Sequence, residues 1–197
     1  MLLHLDIREE HLTEYLEFDM ATIKLKKSSD SKKNIQRLVD LIENIDKKSL
    51  SVGFMKDRRY EDGTSVINVA YKQEFGGISS QTKSVVPPRP FIRPAVESNN
   101  DKWFKEWKYG IKNFLKTISN KSFARGSENY AKHLEQLGGV VVNDIKYAIQ
   151  ATISPPLALF TKIDRRRRGN LSDHPLIDTG KMIDSISYRI KTKNKTI

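Results

Sequence analysis

Apolar positions recur at intervals of three and four along two long stretches of this chain. Trp103, Phe104, Trp107, Ile111, Phe114, Leu115 and Ile118 form one stripe, with Lys102, Lys105, Lys108, Lys112 and Lys116 mostly elsewhere. Tyr130, Leu134, Leu137, Val141, Ile145, Ala148 and Ile149 form another. The spacing predicts two long amphipathic helices that supply most of the apolar surface. The same spacing at Ile35, Leu38, Val39, Ile42 and Ile45 predicts a helix after the Ser28-Ser29-Asp30-Ser31 linker, with Lys47-Lys48 at its C-terminal end. A shorter helix is predicted through Val66, Val69, Ala70 and Gln73, with Thr64 as N-cap and Gly76-Gly77 as its stop.

Strand signals are few. Ser51-Val52-Gly53-Phe54-Met55 is short and β-leaning, and Ser185-Ile186-Ser187-Tyr188-Arg189-Ile190 alternates. These runs are far apart in sequence, so their sheet must close by long-range pairing. The expected class is α+β, a small mixed or antiparallel sheet packed against two long helices and shorter ones. Exposed edges on so small a sheet are natural places for subunits to join.

Chain breakers divide these elements. Residues 77–86 read as a mobile loop. Pro87-Pro88-Arg89-Pro90-Phe91-Ile92-Arg93-Pro94 reads as a stiff extended strut with Phe91 as an apolar anchor, ending where Pro94 enters the first turn of a helix. A break is expected at Arg125-Gly126-Ser127, and Ser154-Pro155-Pro156 ends the second long helix. Within that helix, Gly138-Gly139 implies close backbone packing or a kink. Residues 157–174 read as a long exposed loop, and Leu176-Ile177-Asp178-Thr179-Gly180 opens one last helical turn. The expected organisation is an N-terminal extension and linker over 1–30, a single domain over 31–190 and a basic tail over 191–197 that frays.

The chain has 197 residues, of which 38% are apolar and 30% charged, enough for a modest core with extended ends. Lys and Arg number 35 against 24 Asp and Glu, and the net charge of +11 points to an anionic partner. Residues 1–19 run against this trend, with Asp6, Glu9, Glu10, Glu14, Glu17 and Asp19 against Arg8 alone. Two readings remain open there: translation starting at Met20, or a short helix over Glu9–Phe18 docking on the basic body. The absence of cysteine excludes disulfides, thiolate metal sites and a thiol nucleophile. No apolar run is long enough for a membrane span, and charge interrupts the N-terminus too early for a secretory signal. A soluble protein kept in a reducing compartment is expected.

Catalytic chemistry finds no foothold. His4, His11, His133 and His174 have no ligand spacing, and the Asp173-His174 pair reads as a polar loop. Neither glycine pair has the setting of a phosphate cradle, and Gly-x-Ser-x-Gly does not occur. Glu61, Asp62 and Glu74 could be imagined as an acidic metal cluster near Lys72, but local roles in a turn and at a helix end explain them better. The expectation is no catalytic, metal or cofactor site. The dense basic runs are Arg165, Arg166, Arg167 and Arg168, and Lys191, Lys193 and Lys195. They are candidates for contact with phosphates or an acidic partner, against the simpler reading of a solvated loop and tail. A basic, sequence-nonspecific DNA-binding module is therefore one alternative function. Trp103, Phe104 and Trp107 fit a core better than a base-stacking platform.

Three segments resemble one family. Val52-Gly53, Tyr60-Glu61-Asp62-Gly63-Thr64 and Val69 through Gly76 are similar to a strand, an Asp-Gly-Thr turn and a helix ending in Glu-Phe-Gly. Pro87 through Ala95 is similar to a Pro-x-Arg-Pro-Phe-x-Arg-Pro strut, and Pro175 through Met182 with Ser185-Ile186 to a closing Leu-Ile-Asp-Thr-Gly turn and strand. In this order they resemble the tail-completion and neck proteins of tailed bacteriophages, the minor tail protein Z-like and virion-morphogenesis group. The resemblance covers roughly residues 35–190; the loop at 77–86 is longer than the family's link, and residues 1–19 have no counterpart.

The resemblance implies a structural virion protein, not an enzyme, acting in tail completion or head–tail joining. It implies localisation to the tail or neck after assembly in the bacterial cytoplasm. The implied partners are further copies in a ring, six in related connectors, together with tail terminator, tail tube or head-closure proteins. Non-specific contact with channel DNA and no membrane contact complete the expectation. Pro88, Arg89, Pro90, Phe91, Arg93, Pro94, Asp178, Thr179 and Gly180 become the assembly or structural motif. Asp178 or Thr179 would cap the last helix, and Arg89 and Arg93 would be paired either at an interface or within the subunit.

Overall fold

The computed structural model describes residues 2–4, 36, 39–40, 48–79, 83–120 and 123–192. The chain divides into two compact units, Met1–Leu3 with Val52–Arg189, and His4–Ser51 with Ile190–Ile197. In the second unit Gln36, Val39 and Asp40 are helical, and Gln36 Nε2 donates to Asp40 Oδ1 at 3.1 Å. The rest of the helix expected around Ile35–Ile45 lies outside the described residues, as do the Glu9–Phe18 segment, Lys193 and Lys195.

The strands are β1 (Leu2–His4), β2 (Lys48–Phe54), β3 (Gly77–Ile78), β4 (Val85–Val86) and β5 (Ile186–Thr192). The helices are α1 (Val66–Phe75), α2 (Ile92–Asn120), α3 (Phe123–Ala151), α4 (Leu159–Arg167) and α5 (Lys181–Asp184). The fold is α+β. One sheet has the order β1-β2-β5, so the two strands read from sequence are neighbours across more than a hundred residues. Lys48 opens β2 and does not end the preceding helix.

Residues 77–86 are not simply a loop. β3 and β4 pair antiparallel, Gly77 with Val86 and Ile78 with Val85, in a two-stranded hairpin whose Ile78 and Val85 are exposed. Strands of two residues carry too little periodicity to be read from sequence.

The core of the first unit lies between α2 and α3. Trp103, Trp107, Ile111 and Phe114 of α2 are buried, as are Tyr130, Leu134, Leu137, Val141, Ile145 and Ile149 of α3. Polar edges are matched inside this apolar seam. Trp103 Nε1 donates to Asp144 Oδ2 at 2.7 Å, and Trp107 Nε1 donates to Tyr130 Oη at 3.2 Å. Burial pushes the Tyr130 phenol up to about 12.

α3 runs unbroken through Arg125-Gly126-Ser127, where a break was expected, because Gly126 is buried inside a continuing helix. Gly139 also lacks the expected close neighbour, since a Cβ there would meet no atom within 4 Å. The close approach falls on α2 instead: a Cβ on Gly110 would collide with the His133 imidazole, whose Nε2 lies 2.7 Å from the Glu106 carbonyl.

Candidate functional site

The residues of the three motifs lock onto one another, beginning with α1. Its N-cap is Ser65 rather than Thr64. Ser65 has the extended backbone a cap requires, its Oγ accepts from the Asn68 N–H at 3.3 Å, and its hydroxyl donates to Asp57 Oδ1 at 2.6 Å. Thr64 instead donates its backbone N–H to Asp62 Oδ1 within the turn. At the other end Gly76 takes φ +79° and donates to the Lys72 carbonyl at 2.8 Å. A side chain at Gly76 would also press on Pro88 and the Val86 carbonyl, so glycine meets both a backbone and a packing requirement.

Four consecutive residues at the end of α1 hold the proline strut. Gln73 Oε1 accepts from Arg89 Nη1 at 3.2 Å. Glu74, with no exposed surface, accepts from the backbone N–H groups of Phe91, Ile92 and Arg93 at 2.7, 3.0 and 3.1 Å. Its Oε1 also accepts from Arg93 Nε at 3.1 Å. The guanidinium of Arg93 lies over the Phe75 ring at 5.2 Å, and Gly76 abuts Pro88. The Glu74 carboxylate therefore caps α2 from outside, placing a negative charge and acceptors where the first N–H groups have no helical partner.

Pro88 and Pro90 keep this approach extended, and Pro94 sits in the first turn of α2, as expected. Phe91 is fully buried and meets Phe54 edge-on at 6.5 Å. Arg89 is buried too, donating to the carbonyls of Pro155 at 2.6 Å and Pro156 at 2.9 Å. Burial lowers its pKa, and so does the nearby Arg165. Arg89 spends its donors within the subunit, whereas Arg93, whose side chain is 56% exposed, donates Nε and Nη2 to Glu74.

The arginine run is divided by its setting. Residues 157–174 are not one exposed loop, because α4 occupies Leu159–Arg167 and turns Arg165 inward. Arg165 is 5% exposed and donates to the carbonyls of His174 at 2.7 Å and Ile177 at 3.0 Å. Arg168 donates to Asp178 Oδ2 at 3.1 Å and Asp164 Oδ2 at 3.2 Å. Arg165 is thus withdrawn as a phosphate contact, and Arg168 is engaged by two carboxylates. Arg166, Arg167 and Lys191 remain exposed.

Gly180, at φ +78°, occupies the N-cap position of α5, and Thr179 Oγ1 accepts from the Lys181 N–H at 3.4 Å, so of the two expected caps Thr179 reaches the first turn and Asp178 does not. Asp178 is taken by Arg168 and by Asn170, whose Nδ2 donates to its Oδ1 at 2.6 Å. Burial alone would raise the Asp178 pKa, but those hydrogen bonds and the charge of Arg165 outweigh it and hold it below the usual range.

The first and third motifs also meet. Lys181 Nζ donates to the Arg59 carbonyl at 2.8 Å, and Arg58 Nη1 reaches the Asp184 carbonyl at 3.4 Å. Between them lies a groove of about 840 Å³ bordered by Tyr60, Asp62, Arg165, Asp178 and Lys181. Burial, then Asp178 and Asp62, raise the Tyr60 pKa. Glu61 and Asp62 are exposed in their turn while Glu74 is committed to α2, and among the described residues no group of three His, Asp or Glu could hold a metal ion. Among the same residues no helix is long and apolar enough to cross a membrane.

Sequence reasoning named Arg89, Phe91, Arg93 and Asp178 but missed the partners that define them, Glu74 above all. Comparison with family models, curated proteins and solved structures finds no match.

Proposed function

We propose that this chain is a structural virion protein of a tailed phage, acting in tail completion or head–tail joining as one subunit of an oligomeric neck ring. The observation that carries the reading is the interlock of Glu74 with residues 91–93. Glu74, Arg89, Phe91 and Arg93, which belong to the motifs that resemble the neck family, are spent on a preorganised frame. A frame of this kind loses little conformational freedom on docking. The apolar surface offered for docking is at hand, in Ile78 and Val85 on the β3–β4 hairpin and in Leu159 and Phe160 on α4. On this reading the protein is not an enzyme, and it acts by occupying a position between head and tail.

The test is to assemble particles in a host carrying the phage genome without this gene. Heads and tails should accumulate unjoined, and supplying the protein in trans should restore joining. Infectious particles produced in its absence would refute the role.

A further inference from the structure

A surface helix ordinarily turns its apolar stripe inward and its charges to solvent. α4 does the reverse. Leu159, Phe160, Ile163, Arg166 and Arg167 are all exposed, Leu159 and Phe160 by 72% and 71%. At about 100° per residue these five fall within an arc of about 120°. Arg165 lies on the opposite side, buried, with its guanidinium donating to backbone carbonyls, and Thr161 and Lys162 beside it are half-buried. The inward side of α4 is therefore held by polar contacts, and its apolar residues are left outside the core. The outward face is also ordered along the helix axis, with Leu159, Phe160 and Ile163 first and the two arginines at the C-terminal end. Asp164 and Asp173 border this face but are engaged by Arg168 at 3.2 Å and Lys162 at 3.1 Å, and Arg166 reaches Asp173 only at 3.6 Å.

We infer that α4 docks as a helix into an apolar groove, closed at one end by carboxylates, on a protein other than this chain. The inference rests on the reading of α4 as a docking surface and adds the chemistry of what it meets. Composition selects a protein partner, because interfaces are enriched in arginine and aromatic anchors and depleted in lysine. Helix-in-groove recognition likewise uses apolar anchors that share one helix face. Charge selects against a second copy. Tyr71, Phe75, Ile78 and Val85, exposed at the end of α1 and on the hairpin, are accompanied along the chain by Lys72, Lys83 and Arg93. Glu74 is the sole acid in the sequence between Asp62 and Glu97, and it is buried. A second α4 offers Asp164, already held by Arg168. On either surface Arg166 and Arg167 would lose water without gaining a free carboxylate, and burying an unpaired charge is costly. A groove ending in Asp or Glu removes that cost and fixes the direction in which the helix lies.

The probe is a library of random-sequence peptides held helical in a small scaffold, selected on the immobilised full chain and counter-selected on its Phe160→Ser variant. Peptides that depend on Phe160 should carry apolar residues on one helix face and an excess of Asp and Glu. A selected peptide should lose about tenfold or more in affinity for the pair Leu159→Ser, Phe160→Ser, and about as much for the pair Arg166→Glu, Arg167→Glu. Changing the peptide's acids to lysine should restore its binding to the glutamate pair. Both pairs should melt with the parent, since the substituted side chains are exposed. A selection that yields no Phe160-dependent peptide, or only neutral and basic ones, would overturn the inference. So would binding to phosphatidylserine vesicles that Phe160→Ser abolishes, which would make the occupant a lipid surface. Self-association of the parent that Phe160→Ser abolishes would make it a second copy, and would sink the inference while leaving the neck ring standing.

Discussion

Glu74 ties the end of α1 to the start of α2 through a single side chain. It is buried, and its partners are three backbone N–H groups and a guanidinium. Glu74→Ala leaves those donors buried with no acceptor and should destabilise the fold by about 3 to 5 kcal/mol in urea unfolding. Glu74→Gln keeps the shape but loses the charge, and should cost about 1 to 3 kcal/mol. A Glu74→Ala variant within about 1 kcal/mol of the parent would remove this account of the strut. Glu74 could not be read as a cap in the sequence because helix caps are local signals, and this one lies 17 to 19 residues before the groups it satisfies. The arginine run was opaque for a related reason. Four adjacent residues of one type look alike, and the turn of α4 alone decides that Arg165 points inward.

At the scale of elements, α2 and α3 were legible because their apolar positions repeat over many turns, and Trp103, Trp107, Tyr130 and Leu134 are buried as that period requires. The β3–β4 hairpin and α4 were not. The first has two residues per strand, and the second carries Leu159, Phe160 and Ile163 on an exposed face that no core demanded. The glycines of the helix pair give a paired test. Gly110→Ala should destabilise by about 1 to 3 kcal/mol through the clash with His133, although alanine is the better helix former. Gly139→Ala, with open space around it, should stabilise by up to about 1 kcal/mol. Thermal melts of the two variants should move in opposite directions.

Tyr130 makes the same helix pair sensitive to alkali. Its folded-state pKa of about 12 stands above the unfolded value of about 10, so the buried phenol holds its proton more tightly in the folded chain. Its contribution is full below pH 10 and is lost as pH rises towards 12, amounting to about 3 kcal/mol over that window. Tyr130→Phe should melt at lower temperature at neutral pH, having lost the acceptor for Trp107, and show a shallower alkaline decline. An alkaline decline as steep as the parent's would mean that Tyr130 does not govern it.

For the whole molecule, three separated motifs resolve into one interlocked frame. α1 holds the strut, the strut sets the start of α2, and the closing turn meets the loop before α1. Exposed apolar residues outside that frame include Ile78 and Val85 on the hairpin and Leu159 and Phe160 on α4. On the proposed role the chain works by where it sits, so position is what has to be measured. The most direct measurement is a high-resolution reconstruction of the intact particle at the junction of capsid and tail. The proposed role predicts a closed ring of this chain there, with the hairpin or α4 at the joins between subunits. A junction fully accounted for by other proteins, with this polypeptide absent from it, would contradict the account.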